Sequence, residues 1–133
     1  MLLSMKYLGI DYGSKRVGLA TSDEGGSFAF PRETIQCDAN VQGEIKDMAQ
    51  ELKIEAVVVG IPETGSGVMN TFENDIRVFA KKVGEETGLP VFFQNEQFTS
   101  IEASRYAPGE RKDDAVSAAL ILQRYLDAHP EGK

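Results

Sequence analysis

Three carboxylates stand where side chains do chemistry. Asp11 closes an apolar run and precedes the turn Tyr12-Gly13, Glu96 follows a short apolar run at 91–94, and Asp114 opens a long amphipathic stretch. Metal-assisted hydrolysis of a phosphodiester needs hard oxygen donors. They hold Mg²⁺ or Mn²⁺ ions about 3.5–4 Å apart, so that charge on the attacking and leaving oxygens is stabilised. Three carboxylates converging from separate elements would meet that need. Taken singly, each has a plainer explanation: an Asp at a strand end is a turn residue, Glu96 is a solvated loop charge, and Asp at a helix start is a stock cap. Helical phase separates two neighbours at the last of these positions. Asp114 shares a face with Ala118, Ile121, Leu122 and Tyr125, the side expected to lie on a sheet, whereas Asp113 shares a more solvated side with Ser117, Leu120 and Arg124. Asp114 is therefore the ligand candidate and Asp113 the cap.

The elements that must position these acids can be read from periodicity. Residues 5–11 form a strand around Tyr7, Leu8 and Ile10, 16–22 alternate around Val17, Leu19 and Ala20, and 27–35 follow after Gly25-Gly26. Spacers this short predict an antiparallel meander, because parallel neighbours need a crossover. Pro31 places the third strand at an edge or a bulge, since it cannot donate to a ladder. The period then changes. Val41, Ile45, Met48, Ala49 and Leu52 predict a helix, 55–61 a strand buried on both faces, and Phe72, Ile76, Phe79, Ala80 and Val83 a second helix. A short strand at 91–94, a short helix at 99–106 capped by Thr99 with Glu102 three residues on, and a last helix ending at Ala128 complete the chain. The expectation is an α/β fold: a mixed five-stranded sheet, three antiparallel strands then two parallel ones, with helices packed on it. Sites in such sheets gather at the carboxyl ends of the central strands, and all three acids fall there.

At 133 residues the chain has room for one domain, 1–133, and no second lobe. Its apolar runs are far shorter than the roughly 20 residues of a membrane span, and 1–5 lack the basic start of a signal peptide, so a cytoplasmic protein is expected. The single cysteine, Cys37, excludes an internal disulfide and reads as incidental. A net charge of −7 suits a divalent-metal site and is awkward for a nucleic-acid binder, which must concentrate its cations on one face. Lys15-Arg16, and Arg105 with Arg111-Lys112, are the candidates.

Four segments together resemble one family. LGIDYGSKRVGLA at 8–20, AVVVGIP at 56–62, QFTSIEA at 97–103 and DAVSAALILQRYL at 114–126 are similar, in order, to motifs of the YqgF/RuvX family of RNase H-like resolvases and pre-16S rRNA nucleases. The resemblance implies the RNase H-like fold, dependence on Mg²⁺ or Mn²⁺, and Asp11, Glu96 and Asp114 as catalytic metal ligands. It also implies Lys15 and Arg16 beside the scissile backbone, with Thr99 near Glu96. The implied substrate is structured RNA, the 5′ end of pre-16S rRNA first, with branched DNA as the alternative. Resolving a four-way junction needs two symmetric sites and hence a homodimer. The chain departs from the family at Asn95-Glu96-Gln97, where Asp-Glu-Arg is usual, and in the loop 63–70, which carries the extra acid Glu63. Losing that arginine removes a fork that grips phosphate or orients a carboxylate. These departures and the acidic charge motivate a second reading, a binding module that does not cut.

Other motifs weigh less. GIDYGS at 9–14 also resembles the first phosphate loop of actin-like ATPases and sugar kinases, but those enclose a nucleotide between two such domains. Residues 60–67 lack the Gly-Lys-Ser/Thr ending of a P-loop. His129 belongs to a polar tail and is discounted as catalytic, and Phe92-Phe93 reads as core. Packing is also the plain reading of Phe98 and Tyr106, with stacking on an unpaired base behind it.

Overall fold

A computed structural model describes residues 5–62, 71–96 and 114–129. Strands β1 (Tyr7–Tyr12), β2 (Arg16–Ser22) and β3 (Ala29–Gln36) form the antiparallel meander, with Asp11 opposite Gly18 in the β1–β2 register. Helix α1 (Val41–Glu51) leads to β4 (Ala56–Pro62), which lies parallel to β1. Helix α2 (Thr71–Thr87) leads to β5 (Val91–Glu96), parallel to β4, and α3 (Asp114–Ala128) closes the described chain. The sheet order is β3-β2-β1-β4-β5, the mixed five-stranded arrangement expected. No helix among the described residues is long and apolar enough to cross a membrane.

Each strand's composition explains its place. Strand β4, AVVVGIP, is buried along almost its whole length, as a β-branched strand covered on both faces should be. Pro31 sits on the edge strand β3 and beside a register shift. Glu33 pairs with Leu19 and Pro31 with Ala20, so Arg32 is the extra residue of a bulge. Both expectations for this proline hold.

The two faces of the sheet have different cores. Leu8, Ile10, Val17, Leu19, Val57, Val59 and Ile61 pack against Val41, Ile45 and Ala49 of α1 and Ile76, Phe79, Ala80 and Val83 of α2. Tyr7, Ala20, Ala56 and Val58 point the other way, onto Ala118, Ile121, Leu122 and Tyr125 of α3. Helix α3 seats itself on glycines. A Cβ on Gly18 would collide with the Asp114 carbonyl oxygen, and one on Gly60 would stand 2.5 Å from Ile121 Cδ1. Gly9 makes the same allowance for Leu122. A glycine inside a strand often marks such a close approach by a neighbouring backbone.

Two local expectations change, and two further side chains depart from what periodicity alone conveys. Strand β5 runs to Glu96 rather than ending at residue 94, so the acid lies within the strand. Phe92 and Phe93 are not core: β5 is an edge strand, and both rings are more than a third exposed. Phe72 is likewise exposed although it shares the apolar face of α2. His129, in the polar tail, stacks its ring on Tyr125 with centroids 4.1 Å apart. The expected helix at 99–106, the cap Asp113 and the loop 63–70 lie outside the described residues.

Two glycine substitutions should act in opposite directions. Gly18→Ala forces a methyl into the α3 backbone and is expected to cost about 1–3 kcal/mol, as overpacking does. Gly43→Ala, exposed in α1 with nothing within 4 Å of its Cβ, is expected to stabilise by roughly 0.5–1 kcal/mol. Urea unfolding of the two variants checks both signs.

Candidate active site

Side chains alternate along a strand, so Tyr7, Gly9 and Asp11 share the α3 side of β1, while Phe92, Gln94 and Glu96 share the α3 side of β5. Asp114 begins α3 on that same side, over Gly18. All three acids thus lie on one face of the sheet, at the carboxyl ends of β1 and β5. Extending the register past Ile10↔Val59 sets Asp11 level with Gly60, and Glu96 lies two positions farther along β5. Two strand spacings and two residue rises put their Cα atoms on the order of 12 Å apart. The third acid is offset again.

Two arginines hold two of the acids. Arg16 Nε donates to Asp114 Oδ2 at 2.9 Å; its side chain is 50% exposed and that of Asp114 16%. One terminal nitrogen of Arg124 spans both carboxylate oxygens of Glu96, at 3.1 and 2.9 Å, with side-chain exposures of 44% and 10%. In each pair the acid is the sheltered partner and the arginine the solvent-facing one. Arg16, expected beside the scissile backbone, pairs with Asp114 at the same rim. Lys15 is exposed beside it, with its backbone carbonyl accepting from Cys37 N–H at 2.9 Å. Asp11 is half-buried and has polar interactions of its own. Thr99 lies outside the described residues.

Arg124 is the residue whose partner sequence reasoning did not name. Helical phase set it with Ser117 and Leu120 on a more solvated side; Arg124 and Leu120 are exposed and Ser117 is buried. A signal was present. Arg124 is the only cation in α3 and precedes the sheet-facing Tyr125, so its long stem can reach the edge strand.

The donor set suits a hard divalent cation, since all its members are carboxylate oxygens on one rim. Among the described residues no three acidic, histidine or cysteine side chains are gathered about one point. Helical rise explains part of this: Arg124, which holds Glu96, is ten residues or about 15 Å along α3 from Asp114. Carboxylate chemistry therefore fits an ion, while the side chains shown are those of an arginine-neutralised rim.

Tyr12, next to Asp11, faces the other way, with its ring 4.5 Å from that of Phe79. Burial first, then the neighbouring Cys37 and Asp75, raises its phenol above the ordinary value near 10. It stays protonated through the neutral range and is no base for the site. Between the ordinary value and the raised one, the folded chain keeps a proton the unfolded chain has lost, so stability falls as pH rises through that window. Tyr12→Phe is expected to make the alkaline loss of stability shallower, as read from unfolding midpoints at neutral pH and above pH 10.

Comparisons with known proteins agree with this fold. A family model described as "RuvX: Holliday junction resolvase" matches residues 5–128. A relative from Nitratidesulfovibrio vulgaris, named "Putative pre-16S rRNA nuclease", is 44% identical over 139 residues, covering 97% of each chain. One of the same name from Lactobacillus acidophilus is 34% identical, covering 94% of this chain and 98% of its own. Among solved structures, Thermus thermophilus RuvC in complex with a Holliday junction substrate superposes with a TM-score of 0.59 at 16% identity, covering 97% of this chain and 98% of that one. The fowlpox virus Holliday junction resolvase gives 0.51 at 12% identity, covering 93% and 99%. At these identities the two structures show the fold, that of the RNase H-like resolvases.

Proposed function

Because the chain belongs to the RuvX family of Holliday junction resolvases, a family of nucleases, we propose that it is a divalent-metal-dependent endonuclease whose task is maturation of the 5′ end of pre-16S rRNA. The observation that carries this reading is the placement of Asp11, Glu96 and Asp114 on the α3 side of the sheet, at one rim. The names of the relatives support the ribosomal RNA substrate.

In this reading Asp11, Glu96 and Asp114 are the catalytic acids that would hold Mg²⁺ or Mn²⁺. A bound ion supplies electrostatic stabilisation of the charge that develops on the phosphate during hydrolysis. The protein's own side chains do the rest. Asp11 is fixed by β1 and its pairing with Gly18, Asp114 by the seat of α3, and Glu96 by the end of β5. Lys15 and Arg16, both solvent-facing at the β1–β2 hairpin, bind the backbone of the nucleic acid. Thr99, three residues beyond Glu96, is assigned to substrate as well. Junction resolution is the alternative activity and requires a homodimer with two sites.

Purified protein with Mn²⁺ is expected to cut a pre-16S rRNA fragment in preference to a four-way DNA junction. Asp11→Asn should lower the rate by at least about 100-fold, the scale on which an electrostatic group of an active site acts. Undiminished cleavage by Asp11→Asn would remove the site assignment, and a parent that binds both substrates but cuts neither would favour the non-cutting module. Sedimentation of the active species separates the two activities, since a strict monomer is incompatible with paired junction cuts.

A further inference from the structure

The same two arginines that neutralise the acids have a second use. Each guanidinium occupies oxygens that a cation would need: Arg124 covers both oxygens of Glu96, and Arg16 takes Oδ2 of Asp114. An arginine cannot yield by losing its proton, because its pKa lies far above any working pH. A divalent ion and a guanidinium on one carboxylate also repel each other. To ligate an ion through those same oxygens, the acid must part from the arginine.

Three features make that exchange easy here. Both arginines are the exposed partners, and ion pairs with one partner in water are weak enough to open. Both acids stay put, held by β5 and by the first turn of α3. Both arginine stems reach solvent beside the acids they hold, with side-chain exposures of 50% and 44%. A guanidinium leaving a carboxylate finds in a phosphodiester the acceptor that best matches its planar fork.

Building on the proposed nuclease reading, we propose that Arg16 and Arg124 are exchangeable counter-cations: each neutralises an acid until a divalent ion takes it, and then grips the phosphate backbone of the nucleic acid. The exchange lets a chain of net charge −7 present phosphate-binding cations at the rim when the ion arrives. It also gives Glu96 an arginine from α3, although Gln97 stands beside it in sequence.

The test compares the parent with Arg124→Gln, Arg16→Gln and Arg124→Lys, each first checked for cooperative thermal unfolding. Calorimetric titration with Mn²⁺ alone reads the ion arm. Removing either arginine should tighten Mn²⁺ about three- to tenfold, because a competitor has gone. Binding to the pre-16S fragment in Mn²⁺ should weaken several-fold, with the slope of log affinity against log salt smaller by about one. Arg124→Lys should fall between parent and glutamine in both readouts. An arginine that merely braces the fold would weaken both ligands together, so unchanged or weaker Mn²⁺ binding in both glutamine variants overturns the proposal. A parent that binds no Mn²⁺ overturns the nuclease reading instead, and this one with it. Since the two arginines sit on different elements, failure of one variant to fold leaves the other decisive.

Discussion

The contact between α3 and the bare backbone of Gly18 is the constraint on which the rest of the site depends. A helix normally stands off a sheet by the length of the intervening side chains, but here Gly18, Gly9 and Gly60 leave nothing to intervene. The first turn of α3 drops to backbone contact with β2, and its later turns bury Ala118, Ile121, Leu122 and Tyr125 on the sheet. Asp114 is the first residue of that helix, so the seat that closes this core also sets an acid beside the β1–β2 pair that carries Asp11. Packing and site share one cause.

A second consequence concerns charge. Gathering carboxylates on one rim of an acidic chain costs electrostatic energy, and Arg16 and Arg124 offset it. The two cations come from opposite ends of the sequence, one from a hairpin and one from the last helix. Each pair has its arginine half in water, and in the proposed reading the acids exchange it for a divalent ion.

Much of this arrangement was legible in the residues. Alternation in 5–22 and the short spacers required a meander, and the apolar run AVVVGIP required a central strand. Pro31 could only sit at an edge, and a bulge lies beside it. The choice of Asp114 as the inward acid followed from helical phase and agrees with its place over Gly18. Less legible was exposure: Phe72, Phe92 and Phe93 are apolar and periodic, yet the edge position of β5 and the outer turn of α2 leave them partly in water.

Local sequence thus determined the elements, their order, and the acids that end or begin them, because periodicity, turn chemistry and capping act over a few residues. What partners those acids was decided only by tertiary structure. Arg16 meets Asp114 across 98 residues and Arg124 meets Glu96 across 28. No periodicity encodes such encounters. They depend on how closely α3 settles on three glycines and on the reach of a flexible arginine stem from its helix to an edge strand.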